Sequence, residues 1–184
     1  MLTAARVVSL ACLLLVPAHG AAHGAPVHPD TAGLQFLGFR AGARLDELAD
    51  HLRRLGGGQM RCRRSRVDPR VHECRADLTD RELGRSVNLW ISAMDSVAGI
   101  MTISAVVDSG QLHLWRESLE EQYGRVGARV QGTQRMLQWV RRGRMLRLTW
   151  RLERGEKVAS VSLVDGHVLD GWGRSRRQSA SMPS

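Results

Sequence analysis

The C-terminal half of the chain alternates apolar and polar residues in the pattern of antiparallel strands. Arg142-Gly143 and Arg154-Gly155 suit two-residue hairpin turns. These turns place apolar residues of successive strands opposite one another: Trp139 with Leu146, Leu137 with Leu148, Trp150 with Ala159, Leu148 with Val161, and Leu146 with Leu163. The other face collects the polar residues Gln134, Gln138, Arg147, Thr149, Arg151, Ser160 and Ser162. Because a slip of one residue would mix the two sets, the pattern predicts a three-stranded meander with one apolar face.

Two segments have apolar residues at helical spacing. The first begins near Arg44 and ends at the glycines 56–58, with the apolar positions Leu45, Leu48, Ala49, Leu52 and Leu55. The second begins after Asp108 or Ser109, either of which suits a helix cap, and ends at Gly124 or Gly127. Its apolar stripe consists of Leu112, Trp115, Leu119 and Tyr123.

Between these helices the sequence predicts four strands. Two short strands lie around Cys62 and Cys74, joined by a turn at Asp68-Pro69. Two longer strands, 87–94 and 98–107, meet at Asp95-Ser96. The stretch 79–86 is predicted as a polar loop.

The predicted elements occur twice in the same order, a helix followed by strands. The fold class is therefore α+β, with two short helices packed on antiparallel sheet, and residues 36–172 form one domain. We interpret 36–107 and 108–172 as degenerate tandem α-β-β-β modules. The alternative is that short helices and hairpins simply alternate along the chain.

The two ends of the chain have compositions unlike that of the domain. Arg6, the apolar run 7–16, Pro17 and the small residues after it are typical of a secretory signal peptide over residues 1–24, cleaved between 20 and 24. Residues 25–35 are predicted to be a flexible leader. The Ser- and Arg-rich segment 173–184 is predicted to be a disordered basic tail.

Cysteine usage agrees with export to the periplasm or the exterior. Once the signal peptide, which contains Cys12, is removed, two cysteines remain, Cys62 and Cys74. In an oxidising compartment, cysteines so close in sequence are best interpreted as one disulfide. In a hairpin around Asp68-Pro69 they fall directly opposite each other, and Arg63 falls opposite Glu73 on the other face.

The start of the predicted domain resembles a known type of module. Gly38-Phe39-Arg40-Ala41-Gly42, then Leu45-Asp46-Glu47-Leu48, then Leu55-Gly56 resemble the opening of the small helix-plus-sheet modules in outer-membrane assembly lipoproteins and the β-lactamase inhibitor protein. The chain departs from that pattern at the helix cap, where Ala43 or Arg44 stands in place of Ser or Thr. The resemblance implies a helix packed on antiparallel sheet, and protein binding without catalysis.

Candidate catalytic chemistry is sparse in the sequence. The histidines His51, His72, His113 and His167 have no metal-ligand spacing, so we predict neither a metal site nor a cofactor. Asp165, His167 and Asp170 cluster after the last strand, but no G-x-S-x-G elbow accompanies them. We interpret these three as turn residues and expect no enzyme.

Arginines are the remaining candidate for a binding site. The chain carries 27 basic and 18 acidic residues, a formal net charge of +9, with arginines concentrated in two hairpins. Arg63, Arg64, Arg142 and Arg147 are candidates for binding acidic lipid headgroups, polysaccharide or nucleic acid. The leading expectation is a non-enzymatic envelope protein that binds another envelope or secreted protein, and anion binding is the alternative.

Overall fold

Thirteen helices and strands make up the part of the chain that the computed structural model describes, residues 33–80 and 85–180, with the side chains of Asp80, Arg85 and 174–180 left out. In chain order they are β1 (Gln35–Phe36), β2 (Phe39–Arg40), α1 (Leu45–Arg54), β3 (Arg61–Arg64), β4 (Val71–Asp80), β5 (Arg85–Met94), β6 (Val97–Val106), α2 (Ser109–Tyr123), β7 (Arg129–Gln131), β8 (Gln134–Arg141), β9 (Arg144–Glu153), β10 (Glu156–Asp165) and α3 (Gly166–Ala180). The fold class α+β is confirmed.

One antiparallel sheet of eight strands contains all the strands after α1, in the order β3-β4-β5-β6-β10-β9-β8-β7. Strands β6 and β10, the last strands of the predicted modules 36–107 and 108–172, pair at the centre of the sheet, where Ile103 lies opposite Val161. Each half of the chain therefore contributes four neighbouring strands. The predicted pairings of the meander are confirmed, including Trp139 with Leu146 and Trp150 with Ala159.

The hydrophobic core lies on one side of this sheet, which we call the inner face. There the strands contribute fully buried residues such as Ile91, Met101 and Leu148. Leu52 of α1 and Leu119 of α2 pack into the same cluster. The opposite side is the outer face.

The starts of α1 and α2 are fixed in different ways. Asp108 caps α2 in a capping box: its carboxylate accepts the N–H of Gln111 at 2.8 Å, and the Gln111 side chain accepts the N–H of Asp108 at 2.9 Å. At the start of α1, Arg44 makes no side-chain cap. The N–H of Leu45 donates instead to the Ser96 carbonyl at 2.9 Å, so the β5–β6 turn satisfies one of the free N–H groups at this end of the helix.

The disulfide is confirmed. Cys62 and Cys74 are bonded, with their Cα atoms 4.0 Å apart, and lie opposite each other in the β3–β4 pair. Arg63 lies opposite Glu73 and donates to its carboxylate at 2.7 Å. Cys74 is fully buried whereas Cys62 is exposed, so the bridge ties an edge strand to the core.

Several expectations about loops are corrected. Within the predicted polar loop 79–86, β4 continues to Asp80 and β5 begins at Arg85, because the two strands pair to their ends; residues 81–84 lie outside the described part. A short strand, β7, was not predicted. In the leader predicted over 25–35, Gln35 is in β1 and its N–H donates to the Tyr123 hydroxyl at 2.8 Å. The predicted signal peptide and residues 25–32 lie outside the described residues.

The C-terminal segment differs most from the sequence analysis. In place of turn residues and a disordered tail from 173, the backbone is helical over Gly166–Ala180, making a third helix; residues 181–184 lie outside the described part. The helix packs where strand β6 has a glycine. A Cβ on Gly99 would lie 3.1 Å from Leu169 Cδ2 and 3.2 Å from Val168 Cγ1, so glycine makes the close packing possible.

Asp165 fixes the start of α3 to the sheet. Its carboxylate accepts the N–H of His167 at 3.0 Å and of Val168 at 3.4 Å, and it pairs with Arg144 Nε at 2.7 Å. Burial by itself raises the pKa of Asp165, but the hydrogen bond from Arg144, the Val168 N–H and the charge of Arg144 outweigh it. The net pKa lies below the ordinary value, so the folded protein favours the carboxylate.

Removing the disulfide should lower stability, and by different amounts at its two ends. Cys62→Ser should lower the free energy of unfolding by about 3 kcal/mol, because the short closed loop no longer restricts the unfolded chain. Cys74→Ser should cost about 1–3 kcal/mol more, since it also buries a hydroxyl in the core. Urea unfolding measures both. If a reducing agent left the wild-type protein's stability unchanged, the prediction would be wrong.

Replacing Asp165 should weaken the protein in a pH-dependent way. Asp165→Asn should lower the free energy of unfolding by about 1–2 kcal/mol at neutral pH, since the ion pair with partly exposed Arg144 is lost. Because the folded pKa is depressed, the wild-type advantage is full above about pH 4 and shrinks as pH falls through the folded value. Asp170→Asn, at an exposed carboxylate of the same helix, is the control and should change little.

Candidate functional site

The outer face of the sheet presents side chains in aligned rows, because the strand register places one residue of each strand at the same level. The central row crosses seven strands from β3 to β8: Arg61, Arg75, Trp90, Thr102, Ser162, Arg147 and Gln138. It spans six inter-strand steps, about 29 Å at ~4.8 Å per step. No helix of the inner face reaches this row.

Two further rows flank the central one. Towards the β5–β6 turn lie Arg63, Glu73, Ser92, Ile100, Val164, Met145 and Val140. On the other side lie Asp77, Asn88, Ser104, Ser160, Thr149, Met136 and Arg129. The three rows are mainly polar, and they contain no histidine or cysteine.

Small hydroxyl side chains form the middle of the outer face. Thr102 Oγ1 and Ser162 Oγ lie 3.3 Å apart across the β6–β10 pair, and Thr149 Oγ1 donates to the Ser160 carbonyl at 3.4 Å. Ser104 is the fifth residue of this group and, like the others, is half-buried. Short side chains keep the middle of the face low, so a partner surface can approach the sheet closely.

Trp90 stands between two clefts on this face. The first, of about 520 Å³, is lined by Arg61, Arg75, Asp77, Asn88, Ser104 and the loop at Gly58-Gln59, and we call it the arginine cleft. The second, of about 850 Å³, lies between Trp90, Ile100, the β3–β4 turn and Trp172 of α3, and we call it the hairpin cleft. Trp90 lines both clefts, is half-buried and lies outside the hydrophobic core.

Asp68 joins α3 to the β3–β4 turn at the wall of the hairpin cleft. Its carboxylate accepts two hydrogen bonds from the Arg70 guanidinium, at 2.8 and 3.1 Å, and one from the Arg70 N–H at 3.1 Å. The indole of Trp172 lowers its pKa further. These contacts, led by those of Arg70, lower the pKa of Asp68 to about 2.

The four arginines predicted to bind anions do not lie together. Arg63, on β3, is paired with Glu73, and Arg64 is exposed beside it. Arg147, on β9, donates two hydrogen bonds to the Gln138 amide oxygen, at 2.8 and 3.1 Å. Five inter-strand steps, about 24 Å, separate these strands. Arg63 and Arg64 line one cleft near the β3–β4 turn, whereas Arg142, in the β8–β9 turn, and Arg147 lie in the other half of the sheet.

Two of the four histidines, His51 and His167, make structural contacts to backbone carbonyls. His51 Nε2 lies 2.8 Å from the Leu37 carbonyl and its ring packs edge-on against Phe39. His167 Nε2 lies 3.2 Å from the Arg142 carbonyl. Within residues 33–80 and 85–180, no three His, Cys, Asp or Glu side chains are grouped as metal ligands. Asp165, interpreted from sequence as a turn residue, is a helix cap.

Arg61, Arg75 and Trp90 shape the outer face in the first half, and of these the sequence pointed only to Arg61, as one of the arginines of the first hairpin. A signal was present, since polar or aromatic residues at 88, 90 and 92 alternate with the apolar residues at 87, 89 and 91. That alternation predicts the face on which Trp90 lies. It does not predict that β3 and β4 place two arginines in line with it.

The pKa of Asp68 should respond to its partners in a definite order. Arg70→Gln should raise it most, because Arg70 supplies the strongest hydrogen bonds, and Trp172→Phe should raise it less, because only the indole N–H is removed. An NMR titration of the carboxyl carbon measures the pKa. If Trp172→Phe left the pKa of Asp68 unchanged, the described contact between α3 and the hairpin would be wrong; if it had the larger effect, the order of the two partners would be wrong.

Comparison of the chain with known protein families, curated proteins and solved structures gives no match.

Proposed function

We propose that this protein is an exported, non-enzymatic binding protein that docks onto another envelope or secreted protein through the outer face of its sheet. The observation that carries the proposal is the position of Trp90. This large aromatic side chain lies on the side of the sheet away from the core, in the central row and between two clefts. Tryptophan and arginine are the residues that most often dominate protein interfaces.

The dimensions of the outer face support a protein partner. A row about 29 Å wide, on strands of up to ten residues, leaves room for the roughly 800 Å² that each partner contributes to a standard interface. The floor of small hydroxyls offers donors and acceptors without protruding.

Export is proposed from two features. The disulfide is compatible with an oxidising compartment such as the periplasm or the exterior, and the first residues of the sequence have the composition of a signal peptide. In the described part of the chain, no helix has the length and apolar character needed to cross a bilayer.

We further propose that the two halves are a degenerate tandem repeat, each a helix followed by four strands. The element order supports this, since α1 is followed by β3 to β6 and α2 by β7 to β10, and the closing strands β6 and β10 pair at the centre of the sheet.

Anion binding by Arg63, Arg64, Arg142 and Arg147 acting together is the less supported alternative. The separation of β3 from β9 spreads these charges over the surface, and Arg63 is already neutralised by Glu73. Separate weak contacts with an acidic polymer would not need a shared site.

Site-specific photocrosslinking tests the docking face. A photoreactive residue at Ser104 or Ser160, on the outer face, should give one discrete covalent adduct with a protein when the chain is expressed in its native host. The same residue at Leu114 or Glu117, exposed on α2, is the matched control and should not give that adduct. Mass spectrometry identifies the product. Adducts from α2 but not from the outer face would show that the partner binds the helical side, and the proposed docking face would be wrong.

A further inference from the structure

We propose that the arginine cleft binds a carboxylate side chain of the partner, so that the partner presents an acidic peptide segment to Arg61, Arg75 and Trp90. This inference rests on the proposed function and names the chemistry of the partner. It concerns residues other than the four arginines that the sequence analysis named as candidates for binding anions.

The first observation is that Arg61 and Arg75 lie directly opposite each other in the β3–β4 pair. Residues so paired have Cβ atoms about 5 Å apart on one face, where like charges repel. Neither arginine has an ion pair with any residue of the described part, whereas Arg63, two positions along β3, is paired with Glu73. The two free guanidiniums therefore form a local excess of positive charge that a carboxylate would relieve.

The second observation is the lining of the cleft. Asp77, which also lines it, forms no ion pair within the described residues, and Asn88 and Ser104 add an amide and a hydroxyl. A peptide offers both kinds of group that this lining needs, carboxylate acceptors for the arginines and backbone N–H donors for Asp77. A continuous phosphate backbone offers acceptors alone and would leave Asp77 without a donor.

The third observation is the alignment of Trp90 with both arginines. Trp90 lies opposite Arg75 in the β4–β5 pair, so the row reads two guanidiniums and then an indole. When the arginines bind a carboxylate of the partner, a neighbouring apolar side chain of the same peptide segment can pack on the half-buried ring of Trp90. Aromatic and arginine anchors side by side are typical of the centre of a protein interface.

The test uses the purified, disulfide-bonded protein and a short glutamate-rich peptide with one central leucine. The peptide should bind saturably and shift the NMR signal of the Trp90 indole N–H. Arg61→Gln with Arg75→Gln should weaken the Kd by about 10-fold or more, as expected when anchor residues are lost. The same peptide with glutamine for every glutamate should not bind.

The matched control removes two arginines elsewhere. Arg54→Gln with Arg125→Gln changes the net charge equally, at exposed positions without an ion pair in the described part, and should change the Kd by less than about 2-fold. Equal weakening by both double variants would overturn the proposal, because the effect would be that of net charge. Circular dichroism and thermal unfolding check that both variants fold.

Other ligands give outcomes that count against the proposal. Binding of single-stranded DNA or of anionic lipid vesicles that depends on Arg61 and Arg75, together with no binding of the acidic peptide, would overturn it. Crosslinks from Ser104 that persist in the Arg61→Gln, Arg75→Gln variant would overturn the acidic-segment proposal and leave the docking face intact. Failure of outer-face crosslinking in the wild-type protein would instead remove the proposed function.

Discussion

The pairing of β6 with β10 is the interaction on which the rest of the structure depends. These strands close the two halves of the chain, and their seven-residue register joins two four-stranded halves into one sheet. Ile103 and Val161, at its centre, are both fully buried on the inner face. Without this pair each half would expose a long central edge with unpaired backbone groups. The continuous core beneath the sheet, and the continuous outer face above it, both follow from it.

Joining the halves at the centre moves the less protected strands to the two ends of the sheet. At one end, β3 is short, rich in arginine and tied to β4 by the disulfide. At the other end, β7 has only three residues. Short or charged edge strands discourage pairing with another chain. The sheet is therefore better suited to recognition through its face than through added strands.

The two faces of the sheet differ in the helices that pack on them. On the inner face, α1 and α2 cover an apolar surface. On the outer face, α3 crosses only the end near the hairpin turns, fixed by Asp165 at its start and by the contact of Trp172 with Asp68 further along. Within the side chains that the structure describes, this arrangement leaves the hydroxyl floor and the arginine cleft accessible. The helix thus borders the proposed docking face.

The sequence by itself determined the local structure: two helices, the hairpin around the disulfide, and the meander with its register. The spacing of apolar residues and the residues that favour turns act over a few positions of the chain. A one-residue slip in strand pairing would have buried polar groups such as Arg147. Tertiary structure decided the rest. Helix α3 depends on packing against Gly99 and on the buried cap Asp165. The polar sequence of residues 166–180 does not show that either contact forms. Likewise, the alignment of Arg61, Arg75 and Trp90 needs the register of three strands at once, because residues distant in sequence become neighbours only when the sheet assembles.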